Sequence, residues 1–216
     1  WRVKSWCIPK PSAQFVAKME DVLAVYRRPY DPLYPLVCLD ELGKQLLSTP
    51  RGALLLQAGQ IRCEDYEYAR HGTCNLFMAV EPLRGFRRVW VTVRRTKLDF
   101  AEILRLLVDE VYPDAQKIVL VTDNLNTHSI ACLYERFAPA EARRIASKIE
   151  WHYTPEHGSW LNIAECELSV LHRQCLNRRL TDLYTVEREA TAWETQRNQQ
   201  VVTIDWHFTS ADARIK

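Results

Sequence analysis

Acidic side chains in this sequence stand where apolar runs give out. Leu36-Val37-Cys38-Leu39 is closed by Asp40-Glu41, and Ile118-Val119-Leu120-Val121 by Thr122-Asp123-Asn124. A Pro/Gly loop, Thr154 to Gly158, leads into a helical stretch with Glu165 and Glu167 in its first turns. Polar residues at the carboxyl edge of an open α/β sheet sit where such folds keep their sites. Asp is also a common way to stop a strand, and a helix dipole by itself favours a carboxylate in the first turn. Gathered together, three carboxylates have one strong use. They bind two hard divalent cations through oxygen, and the cations clamp the attacking and leaving oxygens of a phosphoryl group. The third position is open between Glu165 and Glu167, which flank the apolar stripe Ala164, Leu168, Leu171 and Cys175 at similar angles. Zinc is not expected, because the six histidines show no H-E-x-x-H or finger spacing and the seven cysteines no C-x-x-C.

The elements that must carry these residues follow from hydrophobic period. Leu36–Leu39, Leu76–Val80 and Ile118–Val121 are apolar on both faces, as central strands are. A turn at Pro82 to Gly85 joins the second run to Val89, Val91 and Val93, which alternate with polar neighbours and complete a hairpin. Phe100, Ile103, Leu104, Leu107, Val108 and Val111 form a full helical stripe, with a capping box at Thr96 to Asp99 and a stop at Pro113. Residues 130–145 read as a helix broken near Pro139, Ile149 to Tyr153 as a short strand, and Leu161 to Cys175 and Tyr184 to Gln200 as two more helices. That order predicts a mixed sheet with helices on its faces, an α/β layer architecture. Residues 1–35, punctuated by five prolines, read as a lead-in arm with one short helix. Residues 36–200 read as the main domain and 201–216 as a tail.

With 216 residues, 47% hydrophobic and 26% charged, one sizeable core is expected, and disordered or fibrous classes are poor fits. No apolar stretch approaches a membrane span, and the first residues do not resemble an export signal. Free, buried thiols in a cytoplasmic protein are the expectation for the cysteines. Net charge is only +2, so any polyanion partner must be read from local clusters. Arg84, Arg87, Arg88, Arg94, Arg95 and Lys97 form one without an acidic residue between them, and His172, Arg173, Arg178 and Arg179 form a second. Both could track a DNA backbone, and a solvated hairpin face would explain the first equally well.

The acidic blocks resemble a known family. Leu39-Asp40-Glu41, the run Val121 to His128 (Val-Thr-Asp-Asn-Leu-Asn-Thr-His), and the run His152 to Glu165 (His-Tyr-Thr-Pro-Glu-His-Gly-Ser-Trp-Leu-Asn-Ile-Ala-Glu) are similar to the three catalytic blocks of bacterial insertion-sequence transposases related to mariner. The second and third blocks are specific, the first much less so. The resemblance implies a ribonuclease H-like fold with an Asp-Asp-Glu triad. Carried over by position, Asp40, Asp123 and Glu165 become the metal ligands, and Glu165 is preferred to Glu167 because it fills the Glu of the Leu-Asn-x-x-Glu helix. Two departures stand out: 42 positions separate Asp123 from Glu165, more than in mariner proper, and Asn-Ile-Ala-Glu replaces Asn-Pro-Ile-Glu.

The family further implies two Mg²⁺ ions, replaceable by Mn²⁺, and double-stranded DNA as partner, both as transposon terminal repeats and as target, with a TA preference. It also implies a homodimeric synaptic complex, bacterial cytoplasm with nucleoid association, and an upstream helix-turn-helix domain. A chain opening at Trp1 without Met is expected to be a fragment from which that domain is missing. His128, five residues after Asp123, is an auxiliary candidate that could face the scissile phosphate. Ser159, Trp160 and Asn162 are expected to fix the Glu165 helix or touch DNA. Glu41→Gln and Glu167→Gln are expected to retain activity, because both residues adjoin the ligands without matching the motif. A nuclease that cuts without joining, or an inactive DNA-binding derivative, are the competing readings.

Overall fold

The computed structural model describes residues 12–51, 59, 65–125 and 128–214. A five-stranded sheet runs through it in the order β3-β2-β1-β4-β5. Its strands are β1 (Leu36–Ser48), β2 (Ala69–Glu81), β3 (Phe86–Thr92), β4 (Ile118–Thr122) and β5 (Ile149–Tyr153). β1, β2 and β3 are antiparallel neighbours, whereas β4 is parallel to both β1 and β5. Alternation along β1 and β4 divides the core. Leu36, Cys38, Val119 and Val121 project into a layer with α1 (Ala13–Tyr26), α5 (Ile163–Leu171) and α6 (Leu183–Gln199). Val37, Leu39, Ile118 and Leu120 project into the opposite layer with α2 (Lys97–Leu106), α3 (Ala131–Arg136) and α4 (Pro139–Ser147). Two-sided apolarity in the sequence is thus two-sided burial. Each such Leu, Ile or Val, taken fully out of water, contributes about 1.5–3 kcal/mol.

The expected capping box forms: Thr96 accepts from the Asp99 backbone N–H, and Asp99 accepts from that of Thr96. α2 then widens into a π-helical turn, Leu107–Val111. β1 is longer than its apolar run predicts. Its pairing with β4 stops at Cys38↔Val121, but pairing with β2 continues to Ser48, so Asp40 lies inside a strand and beside the end of the neighbouring one. The antiparallel partner explains this, because β2 supplies hydrogen bonds to polar residues that an apolar period does not mark as strand.

Both ends of the described chain join the packing. Met19, Val22, Leu23 and Val25 of α1 are core residues, and Ile204, Trp206 and Phe208 pack against the same cluster. Residues 1–11 of the lead-in and 215–216 of the tail lie outside the described residues. Gly85, in the β2–β3 turn, has φ +68°, and a Cβ there would come within 2.8 Å of the Val201 carbonyl carbon. Both facts require glycine. α6 covers the outer edge of β3: Glu194 Oε2 accepts from Val89 N, and Asn198 both accepts from Arg87 N and donates to Arg87 O. Cys38, Cys74 and Cys132 are buried free thiols, as expected, whereas Cys166 is exposed and Cys175 half-buried. Cys7 and Cys63 lie outside the described residues.

Candidate active site

By the period of two, Asp40 follows Cys38 onto the face of the sheet covered by α5, the helix that carries Glu165. Asp123 follows Thr122 immediately past the end of β4. Asn162 ties the two sides together. Its Nδ2 donates to the carbonyl of Leu39, the residue before Asp40, while its Oδ1 accepts from Ala164 N at the start of α5. Tyr26 holds the same turn from α1, donating to Leu161 O at 2.6 Å. These bonds locate the first turn of α5, and Glu165 with it, against the strand that bears Asp40. Trp160 is exposed, with its ring packed edge-on against Phe208.

Burial, and then the charges of Glu41, Asp123 and Glu165, push the Asp40 carboxyl up to about 7 despite the hydrogen bond from Glu41 N. Asp123 and Glu165 are therefore electrostatic neighbours of Asp40. Among the described residues, none of the three pairs with Lys or Arg. That is the chemistry of a site for hard cations, which prefer oxygen donors and offset like charges. The fit is one of donor type and charge. Among the described residues no three His, Cys, Asp or Glu side chains are gathered closely enough to hold a metal ion.

His128 is buried, and its ring stacks on Phe100 with centroids 4.3 Å apart. Nδ1 is hydrogen-bonded to Asp123 Oδ1, with Thr122 Oγ1 3.4 Å away. Nε2 lies 3.1 Å from Glu41 Oε2, an ion pair, and that buried oxygen has no hydrogen-bond partner among the described residues. Burial disfavours the imidazolium, but Asp123 and Glu41 outweigh it and raise the His128 pKa to about 9. Glu41 was not legible as part of the site: it follows Asp40 in sequence but, by the strand period, faces the opposite layer.

Glu167 is not a spare ligand. It is 3% exposed, and its carboxylate is bound by Arg87 Nε at 2.8 Å and by Arg197 through two hydrogen bonds. The two guanidiniums hold its carboxyl below the usual range against the opposing effect of burial. This corrects one expectation: Arg87, 0% exposed, has no surface with which to track a DNA backbone.

The remaining basic candidates divide by partner. Arg84 and Arg88 are exposed but pair with the buried carboxylates Glu81 and Glu194, Arg178 pairs with Glu189, and Arg179 donates to the carbonyls of Asp65 and Glu67. Arg173 donates to Ser169 Oγ, and His172 is exposed. Lys97 pairs with Glu135 on the surface. Arg95 lies 3.8 Å from Glu41 Oε1, and Arg94 is exposed with no acidic partner among the described residues. Within the first cluster Arg94 and Arg95 are therefore the least engaged by acidic partners among the described residues. Reversing both, Arg94→Glu with Arg95→Glu, is expected to weaken duplex DNA binding by about tenfold or more at low salt and to flatten log Kd against log salt by about 2. Fluorescence anisotropy from 50 to 200 mM salt measures both, and an unchanged slope would remove these residues from the interface.

A family model described as DDE superfamily endonuclease matches residues 35–187. No curated protein sequence matches. Among solved structures, the chain is similar to the Mos1 mariner paired-end complex with Mn, at TM-score 0.55 and 13% identity, covering 94% of this chain and 62% of that one. It is also similar to the Mos1 transposase paired-end complex with the left transposon end, at 0.53 and 13%, again covering 94% and 62%. A third similar structure is the Mos1 strand transfer complex, at 0.52 and 12%, covering 93% and 62%. The chain thus spans about three fifths of the Mos1 chains it matches and shares their ribonuclease H-like fold.

Proposed function

The chain belongs to the DDE superfamily endonuclease family, and on that premise we propose that it is the catalytic part of a mariner-related transposase of the bacterial insertion-sequence type. It cuts DNA at transposon ends and joins the freed 3′ hydroxyls to target DNA at TA sites, working as a homodimer at the nucleoid. In this reading residues 36–200 are the catalytic unit, residues 1–35 an arm from an upstream helix-turn-helix domain, and 201–216 a tail. The observation that carries it is that Asp40 on β1 and Asp123 just past the end of the adjacent, parallel β4 lie at one edge of the sheet, with Glu165 on a helix tied by Asn162 to β1, inside a matched DDE domain.

Asp40, Asp123 and Glu165 would hold two Mg²⁺ or Mn²⁺ ions, which when bound supply charge neutralisation at the attacking and leaving oxygens of a phosphodiester. The protein's own part is positioning. Asp123 Oδ1 is hydrogen-bonded to His128 Nδ1, and Asp40 Oδ1 accepts from Glu41 N, which leaves Oδ2 of each without a hydrogen bond among the described residues. Arg94 and Arg95 would place the DNA backbone at that edge. The test is incubation of the protein with labelled terminal-repeat duplex and a target plasmid, with Mg²⁺, Mn²⁺ or chelator. Cation-dependent cutting with joined products is the expected result. Cutting without joining would leave a nuclease of the same fold, and no cutting under any condition would overturn the reading.

A further inference from the structure

We propose that Glu41 is a positioning residue for the site, acting through His128 to set the orientation of Asp123. The inference rests on the reading of Asp123 as a cation ligand and adds to it a buried relay. Four observations carry it. The Glu41 side chain is 6% exposed, and among the described residues its Oε2 faces His128 Nε2 at 3.1 Å and no other partner. The His128 side chain is 2% exposed and clamped flat on Phe100, itself buried in the core of α2. The other ring nitrogen meets Asp123 Oδ1, which also accepts weakly from Leu125 N at 3.4 Å. Finally, β1 places Glu41 beside Asp40 but on the opposite face, so one strand supplies a ligand on one side and the support for a second ligand on the other.

A carboxylate buried at hydrogen-bond range from one imidazole nitrogen, with a ligand carboxylate at the other, limits the rotation of the ring and hence of Asp123. Without Glu41 the ring retains its stacking but loses the contact that selects one orientation, and Asp123 gains rotameric freedom that cation binding must then remove. Supports of this kind, one shell out from a metal, typically contribute 10–100-fold in metal affinity.

The experiment measures Mn²⁺ affinity by electron paramagnetic resonance of the free ion, without DNA, for wild type, Glu41→Ala, Glu41→Gln, His128→Ala, Asp123→Asn and the double variant Glu41→Ala/His128→Ala. Thermal melts in chelator report the fold of each, and Glu110→Gln is the surface control. Glu41→Ala and His128→Ala are each expected to weaken Mn²⁺ binding by about 10-fold or more, Glu41→Gln by less because it keeps an oxygen facing the ring, and the double variant no more than the worse single one. Non-additivity is the signature of action through one another, and a purely structural role would not produce it. Should Glu41→Ala fail to fold, Glu41→Gln and a Glu41→Gln/His128→Ala cycle decide the same question. Additive losses, or Mn²⁺ affinity within twofold of wild type in the Glu41 variants while Asp123→Asn abolishes binding, would overturn the relay and leave the metal reading intact. Unchanged binding in Asp123→Asn would overturn both.

Discussion

Asp40→Asn is expected to abolish DNA cleavage, by at least about 10³-fold, and at the same time to make the cation-free protein more stable. The two effects have one cause. The folded structure raises the Asp40 carboxyl to about 7, chiefly by burial and then by the charges of Glu41, Asp123 and Glu165. A carboxylate whose folded pKa lies above its unfolded value costs stability in its ionised form. The cost begins as pH rises past about 4, grows to about 7, and is then fully present, on the order of 4 kcal/mol. Asn carries no charge, so its advantage should appear in melts at pH 8 and vanish at pH 4. Saturating Mg²⁺ should stabilise the wild type by mass action and leave Asp40→Asn unmoved, narrowing or reversing the order. Asp123→Asn and Glu165→Gln should also lose cleavage, without a matching gain in stability for the exposed Glu165. Wild-type cleavage by Asp40→Asn would move the site elsewhere. A lower melting point at pH 8 in chelator would show that Asp40 is not the strained group.

Glu167→Gln is expected to cost about 3–5 kcal/mol of stability, because it leaves Arg87 with an uncompensated charge in the core and replaces one of the two oxygens that accept from Arg87 and Arg197 with an amide N–H₂. The urea midpoint should fall accordingly, at an m-value near that of the wild type. Any loss of cleavage should follow the fraction unfolded, so that catalysis returns at low temperature, in contrast to Glu165→Gln, which should stay inactive while folded. Replacing the pair together, Arg87→Met with Glu167→Leu, should recover much of the stability, since a buried ion pair is stabilising mainly relative to its broken halves. A Glu167→Gln protein as stable as wild type would mean that Arg87 finds another partner.

Glu165 and Glu167 show how far sequence reading reaches. Both sit in the first turns of one helix, at similar angles from its apolar stripe, and helical period alone does not separate them. The Leu-Asn-x-x-Glu match favoured Glu165, and the fold supplies a physical reason to set Glu167 apart: a β3 arginine 80 positions earlier and an α6 arginine 30 later close on it. Arg87 fails as a surface prediction for the same reason. In a run of basic residues on a hairpin, alternation says which side chains share a face, but not that a helix 100 residues later will cover one of those faces.

What the sequence by itself determined is everything that repeats along the chain. Two-sided apolar runs place β1, β2 and β4, a 3.6-residue stripe with its capping box places α2, and Pro139 divides α3 from α4, because burial of a strand or helix face imposes its period on neighbouring residues. The carboxylates that close two apolar runs, and a third in the first turns of a later helix, were legible as candidates too. Only the tertiary structure decided which strands adjoin, that β1 runs on past Asp40 because β2 continues to pair with it, and that the tail packs on the core. It alone decided that Glu41 meets His128 and Glu167 meets Arg87. These contacts join residues 80 or more positions apart. No local period encodes such a contact, since the energy of a buried charge depends on what packing brings to it and not on its neighbours in the chain.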